Sequence, residues 1–195
     1  MEKRMGAEQE NIKEFPELKT SRCLLIKPQL DHAPDLFEIY GDKETMQYMQ
    51  RKEVCSIQAC KEIIRSWKKD FKNREGIRWG IFQKAAPEKL IGTIALHYWS
   101  KKHKSIEIGA DLNKNYAGLG IISEVTETVI SFAFNYFDIN RLELRCDPRN
   151  TPAVKIAEKL GFKKEGVLRE AVYVEGKGFM DEAVFSLLKK EFKKL

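Results

Sequence analysis

The chain has no Cys-x-x-Cys pair, and its three histidines (His32, His97, His103) complete no metal-ligand pattern, so no metal is expected. No apolar run reaches the length of a membrane span, and the opening MEKRMGAEQENIKEF lacks the apolar core of a signal peptide. With four scattered cysteines (Cys23, Cys55, Cys60, Cys146), these absences predict a cytoplasmic protein with reduced thiols and no membrane partner. Glycine and proline are scarce, and no repeat or internal linker interrupts the chain.

What is present is globular: 43% hydrophobic and 33% charged over 195 residues, enough to bury one core without disulfide staples. The net charge of +6 admits an acidic partner such as a nucleotide cofactor or RNA but demands neither. No interleaved basic and aromatic motif supports specific nucleic-acid recognition. Residues 1–16 are polar, unpatterned and end at Pro16, which reads as a flexible N-terminal tail, with Met5 as an alternative start. Residues 17–195 read as a single α/β domain.

Within that domain RCLLIKP (22–28) reads as a strand stopped by proline, APDLFEIY (33–40) as a short helix closed by Gly41, and 43–49 as a second short helix. Ser56 is placed to cap a longer helix over 57–73, where Ile63, Ile64, Trp67 and Phe71 form an apolar stripe. IRWGIFQK (77–84) and KLIGTIALHYW (89–99) read as a hairpin joined by the loop AAPE. In SIEIGADL (105–112), Ile106, Ile108, Ala110 and Leu112 alternate with Glu107, Gly109 and Asp111, which gives a strand with one apolar and one polar face. A helix follows from Gly120 to Tyr136, then the strand RLELRCD (141–147), the helix TPAVKIAEKLG stopped by Gly161, a strand over 161–166 and a β-rich run over 179–188.

The junction NYAGLGIISEV (115–125) carries Gly118 and Gly120 at the mouth of that long helix. Glycines there serve a tight turn, or they leave bare N–H groups at a helix N-terminus where a phosphate can sit. No Gly-Lys-Ser/Thr follows, and neither a third glycine nor a later ribose-binding acid completes a dinucleotide fingerprint.

The succession of strand, Asn115-x-x-Gly118-x-Gly120, helix, strand, Asn150, helix and Leu160-Gly161-Phe162 resembles the GNAT acetyltransferase superfamily. Its signature at this junction is Gln/Arg-x-x-Gly-x-Gly/Ala. LKTSRCLLIKPQLDHAPDLFEIYGDKETMQYM, KLIGTIAL, SIEIGADL and DPRNTPAVKIAEKLGF resemble the RimJ/RimL-like branch in particular, the ribosomal-protein N-terminal acetyltransferase type. The resemblance runs from about Leu18 to Phe192. It implies a mixed, mostly antiparallel sheet flanked by helices, with strands 105–112 and 141–147 splayed to form an acetyl-CoA wedge. The cofactor contacts it implies are Leu112, Ala117, Gly118, Leu119, Gly120, Ile121, Ile122 and Asn150, with the pyrophosphate on backbone N–H groups of 117–122. Asn115 departs from the family's Gln or Arg, and Ala153 stands where many relatives carry serine, which leaves the general acid open.

The implied reaction is acetyl transfer to a primary amine by direct attack in a ternary complex, most simply a protein N-terminal α-amine. Glu107 is the candidate base and Asp111 its reserve. Backbone N–H groups near 109–111 are candidates to stabilise the oxyanion. A carboxylate near its reference pKa of about 4.3 suits an α-amine near 8 better than a lysine near 10.4. Tyr116 and Tyr173 are possible proton donors. His97 and His103 are further possible bases, Cys146 ends a wedge strand near the implied path of the CoA thiol, and Trp67, Trp79 and Trp99 are possible groove walls, but packing or surface roles are the better reading of each. Rival acceptors are polyamines, antibiotics and amino-acid-like amines, and a homodimer is admitted. The reading from another class is a non-catalytic CoA-binding module that engages RNA or protein.

Overall fold

The computed structural model describes Ile12 and residues 14–193. Most of the expected tail (1–11 and 13) lies outside the described residues. From Glu14 on the chain is docked: Phe15 packs 5.1 Å from Phe71, and the Trp79 indole donates to the Pro16 carbonyl at 2.6 Å.

The strands are β1 (Leu18–Lys19), β2 (Cys23–Ile26), β3 (Gly76–Gln83), β4 (Ala86–Ser100), β5 (Ser105–Leu112), β6 (Arg141–Cys146), β7 (Lys163–Val174) and β8 (Gly178–Leu188). The helices are α1 (Ala33–Tyr40), α2 (Lys43–Met46), α3 (Ile57–Asn73), α4 (Ile121–Tyr136) and α5 (Thr151–Lys159). All eight strands form one sheet in the order β1-β2-β3-β4-β5-β6-β8-β7, and only β5 and β6 run parallel.

Each face of the sheet carries its own core. On one, Val125, Val129, Ile130 and Ala133 of α4 pack on Trp79, Ile106, Ile108 and Leu142. On the other, Leu36 and Ile39 of α1 and Ile64 and Trp67 of α3 close over Phe82 and Leu90. The α3 stripe is the predicted one, and the Ser56 hydroxyl accepts from the Ala59 N–H at 3.1 Å. Caps of this kind stabilise a helix by about 1 kcal/mol.

Two expectations are corrected. Three residues of the supposed AAPE loop belong to β4, because register shifts after Ile81 and Phe82 carry the pairing out to Gln83 and Ala86. The strand expected over 161–166 runs instead to Val174, forming a long hairpin with β8.

Candidate functional site

The site begins where a backbone ladder stops. β5 and β6 pair at Ser105/Arg141, Ile106/Leu142 and Glu107/Glu143, and then diverge. Beyond Glu107, β5 continues to pair with β4 as far as Leu112, so its other edge over 109–111 faces the opening. This is the splayed wedge, and the candidate oxyanion donors lie on its rim.

β5 then enters a short 3-10 turn (Lys114–Tyr116), where the Asn113 side chain accepts from the Asn115 N–H at 3.0 Å. Gly118 and Gly120 follow with φ of 75° and 74°, a region that costs other L residues roughly 1–2 kcal/mol. A Cβ on Gly118 would meet nothing within 4 Å, so the loop is open to a ligand. No side chain caps α4, which leaves its first-turn N–H groups available. Backbone of this shape fits a pyrophosphate.

The loop is held from below by Arg22, whose guanidinium donates to the Leu119 carbonyl at 2.9 Å and to Glu124 Oε2 at 2.6 Å. Glu124 also accepts from the Ser21 hydroxyl and the Arg22 N–H. Burial pushes its carboxyl upward, but donors from Thr20, Ser21 and Arg22 outweigh that and hold it at about 2. The acid in the first turn of α4 is therefore neutralised by its own partner rather than repelling an incoming anion. The sequence reading missed both residues, which lie 102 positions apart.

One cleft of about 1300 Å³ gathers most of the candidates. Leu112, Ala117, Gly118, Gly120, Ile121, Ile122 and Asn150 line it together with Glu107 and Asp111. Leu119 does not; it is exposed and contributes its carbonyl to Arg22. The Asn150 side chain accepts from the Ala153 N–H at 3.2 Å and so caps α5 while standing at the cleft wall.

The two carboxylates are differently engaged. Asp111 Oδ2 takes the Tyr40 hydroxyl at 2.6 Å, with Arg78 and Thr93 each at 3.3 Å. Burial first, then Asp111, pushes Tyr40 up to about 12, which keeps its proton in that bond. These bonds tie α1 to β3, β4 and β5, so Asp111 serves as a structural anchor.

Glu107 stands at the last paired rung, with His97 Nε2 at 3.1 Å from Oε1 and Arg145 Nε at 3.3 Å from Oε2. His97, a possible base for which the sequence favours a surface role, is the direct cross-strand neighbour of the candidate base Glu107. Arg145 also reaches Glu143 at 3.0 Å and Glu182 at 2.9 Å, so one guanidinium spans three strands across the mouth of the wedge. Burial raises the Glu143 carboxyl, yet Arg141 and Arg145 hold it below the usual range.

Cys146 lines the cleft, and burial pushes its thiol up to about 11. Tyr116 also lines the cleft, whereas Tyr173 is exposed on the β7–β8 hairpin against Phe179. The tryptophans pack: Trp79 is fully buried, Trp67 lies in the α1–α3 core and Trp99 meets Phe137 edge to face.

Two further walls of the cleft come from the loop after α2 and the β7–β8 hairpin. Tyr48, Met49, Gln50 and Arg51 line the cleft opposite Val172 and Glu182. Lys177, between Gly176 and Gly178 at the hairpin turn, donates to the carbonyls of Met46, of Met49 at 2.9 Å and of Arg51 at 3.2 Å. Burial lowers its pKa from the ordinary lysine value. This clasp joins the two walls. Among the described residues no cluster of histidine, cysteine or acidic side chains could hold a metal, and no helix is long and apolar enough to cross a membrane.

Residues 22–163 match the family model described as acetyltransferase (GNAT) domain. The chain is 32% identical over 176 residues to the uncharacterized N-acetyltransferase p20 of Bacillus licheniformis, covering 90% of this chain and 97% of the relative. It is 29% identical over 87 residues to the ribosomal-protein-serine acetyltransferase of Escherichia coli, covering 45% and 49% respectively. The fold is similar to that of an acetyltransferase (GNAT family) from Bacillus anthracis, with a TM-score of 0.78, 22% identity and coverage of 90% and 100%.

Proposed function

The chain belongs to the GNAT acetyltransferase family, and on that premise we propose that it acetylates protein N-terminal α-amines of the ribosomal-protein type in the cytoplasm. The observation that carries the acceptor assignment is the clasp between Lys177 and the carbonyls of Met46, Met49 and Arg51. With the two walls of the cleft joined by this clasp, a free chain terminus fits better than a side chain within a folded surface. The similarity to the ribosomal-protein-serine acetyltransferase supports the same class. Unpaired cysteines at four positions suit a reducing compartment.

Acetyl-CoA supplies the activated acetyl group, and the open loop at Gly118 and Gly120 with the N-terminus of α4 would hold its pyrophosphate. Leu112, Asn150 and the first turn of α4 would line the arm that reaches into the wedge. Glu107 takes a proton from the amine, directly or through one water, as the amine nitrogen bonds to the acetyl carbon. The C–S bond then breaks and the sulfur leaves as thiolate. N–H groups at the free edge of 109–111 stabilise the carbonyl oxygen as it gains charge. An α-amine, with a pKa of about 8, is partly neutral at pH 7 and asks little of a carboxylate base.

A second reading, a cationic small amine such as a polyamine, gains nothing from charge, because the cleft is lined by four carboxylates (Glu107, Asp111, Glu143, Glu182) and four arginines (Arg51, Arg78, Arg141, Arg145). The +6 of the whole chain is a further point against a polycation. CoA-thiol release with peptides beginning Ser, Ala or Met, set against polyamines and aminoglycosides, separates the two. Release with the peptides supports the proposal, and release with small amines alone refutes it.

A further inference from the structure

The charges that line the cleft balance in number but not in place. Around the closed end of the wedge, Glu107, Glu143 and Glu182 stand with Arg141 and Arg145. At the far end of β5, Asp111 is the single lining carboxylate beside two guanidiniums, Arg78 and Arg51. The first end carries a surplus of negative charge, the second a surplus of positive charge.

The positive surplus resides on Arg51. Arg78 pairs with Asp111, Arg141 with Glu143, and Arg145 with Glu107, Glu143 and Glu182. Among the described residues Arg51 forms no ion pair; its guanidinium lies 4.7 Å from the centre of the Tyr40 ring, and the Tyr40 hydroxyl is given to Asp111. Arg51 is half-buried, and a cation withdrawn from water without an anion is unfavourable until one arrives. Its backbone is fixed as well, since Lys177 donates to the Arg51 carbonyl at 3.2 Å and to the Met49 carbonyl at 2.9 Å.

The anion that Arg51 lacks belongs to the acceptor rather than to the cofactor. Glu107 and Asp111 share the polar face of β5, on the side where Tyr40 packs with α1 and α3. The helix α4 packs on the opposite face, against Ile106 and Ile108, and the pyrophosphate is assigned to its N-terminus. Four residues of extended strand separate Glu107 from Asp111, roughly 13 Å. A free amino acid holds its amine and carboxylate about one residue length apart, roughly 3.5 Å, and does not span that distance. An extended chain with an acid a few residues from its amine does.

Resting on the acceptor class proposed above, we propose that Arg51 selects acceptor chains with an acidic side chain at the second, third or fourth residue. The α-amine lies at Glu107 and the carboxylate takes the Arg51 guanidinium, a planar fork suited to two parallel hydrogen bonds.

The test measures KM and kcat by CoA-thiol release for a Ser-Ala-Ala-Ala peptide series carrying Glu, Gln or Lys at the second, third or fourth residue. Wild type, Arg51→Lys, Arg51→Met and Arg51→Glu are compared, with circular dichroism melts to check each fold. In the wild type, KM should be about tenfold lower for Glu than for Gln in at least one of these positions, at similar kcat. Arg51→Met should erase that difference and Arg51→Lys should keep part of it. Arg51→Glu should favour Lys over Glu, an inversion that a merely structural role does not produce. Acetyl-CoA affinity by calorimetry should stay at wild type in every variant, and its loss would give the guanidinium to the cofactor and overturn the proposal. Equal KM for Glu and Gln peptides in the wild type, or a preference that survives Arg51→Met, overturns it and leaves the acceptor class standing. Release with free amino acids or polyamines and with none of the peptides sinks both.

Discussion

Glu124→Gln should make the protein less stable in a way that disappears at low pH. The Glu124 side chain is 19% exposed and receives the Ser21 hydroxyl, the Arg22 N–H and the Arg22 guanidinium, which together with Thr20 overcome the upward push of burial. A carboxyl lowered from 4.5 to about 2 on folding contributes about 3 kcal/mol. Because the folded value is the depressed one, that stability is fully present above pH 4.5. It is lost as pH falls toward 2. The amide keeps one acceptor oxygen but no charge, so at pH 7 the expected loss is about 2–3 kcal/mol, or roughly 5–10 °C in Tm. Urea unfolding of both proteins at pH 7, 4.5 and 3 measures it. The gap should be full at pH 7 and clearly narrower at pH 3. A gap of constant size, or none at pH 7, would show that the Arg22–Glu124 pair does not hold the glycine loop to the β1–β2 turn.

The remaining predictions concern turnover. Glu107→Gln should lower kcat by about 10²–10⁴ while acetyl-CoA binding persists, and wild-type turnover at every pH would remove Glu107 as the base. Gly120→Ala and Gly120→Glu share the strain of a φ of 74°, so the glutamate should bind acetyl-CoA about tenfold more weakly than the alanine through its charge alone; equal affinities by calorimetry would refute the anion site. Lys177→Met strands three carbonyls and should raise KM for an N-terminal peptide while acetyl-CoA affinity stays at wild type, and an unchanged KM would detach the clasp from acceptor recognition.

How far the sequence could be read followed the range of the interactions. The boundaries of α3 and β5 were legible because Ser56, the apolar spacing of 63–71 and the alternation of 105–112 are local signals. The glycine junction was legible for the same reason, since positive φ is a property of single residues. β7 beyond Gly166 was not, because a strand exposed on both faces has no reason to alternate. The surroundings of Glu107 were hidden for a different reason. His97 and Arg145 meet it only through the register of β4 on β5 and the parallel start of β6, and no spacing in the chain records that register. The pairing of Arg22 with Glu124 was likewise invisible across about half the chain.

The bonds around Glu107 also decide what kind of catalyst this wedge can be. The Glu107 carboxylate is held from two sides, by His97 and by the Arg145 guanidinium. What it gains is position. Arg145 ties β5, β6 and β8 together just past the rung where the backbone ladder ends, at the place where two diverging strands would otherwise be free to move. Alignment of a neutral amine against a fixed thioester can supply on the order of 7 kcal/mol or more, whereas a general base adds 10²–10⁴ in rate, about 3–5 kcal/mol. Of the two effects, alignment lowers the barrier more. On the function proposed above, a site that relies on alignment calls for an amine that arrives already largely neutral, as a chain terminus does more readily than a lysine side chain.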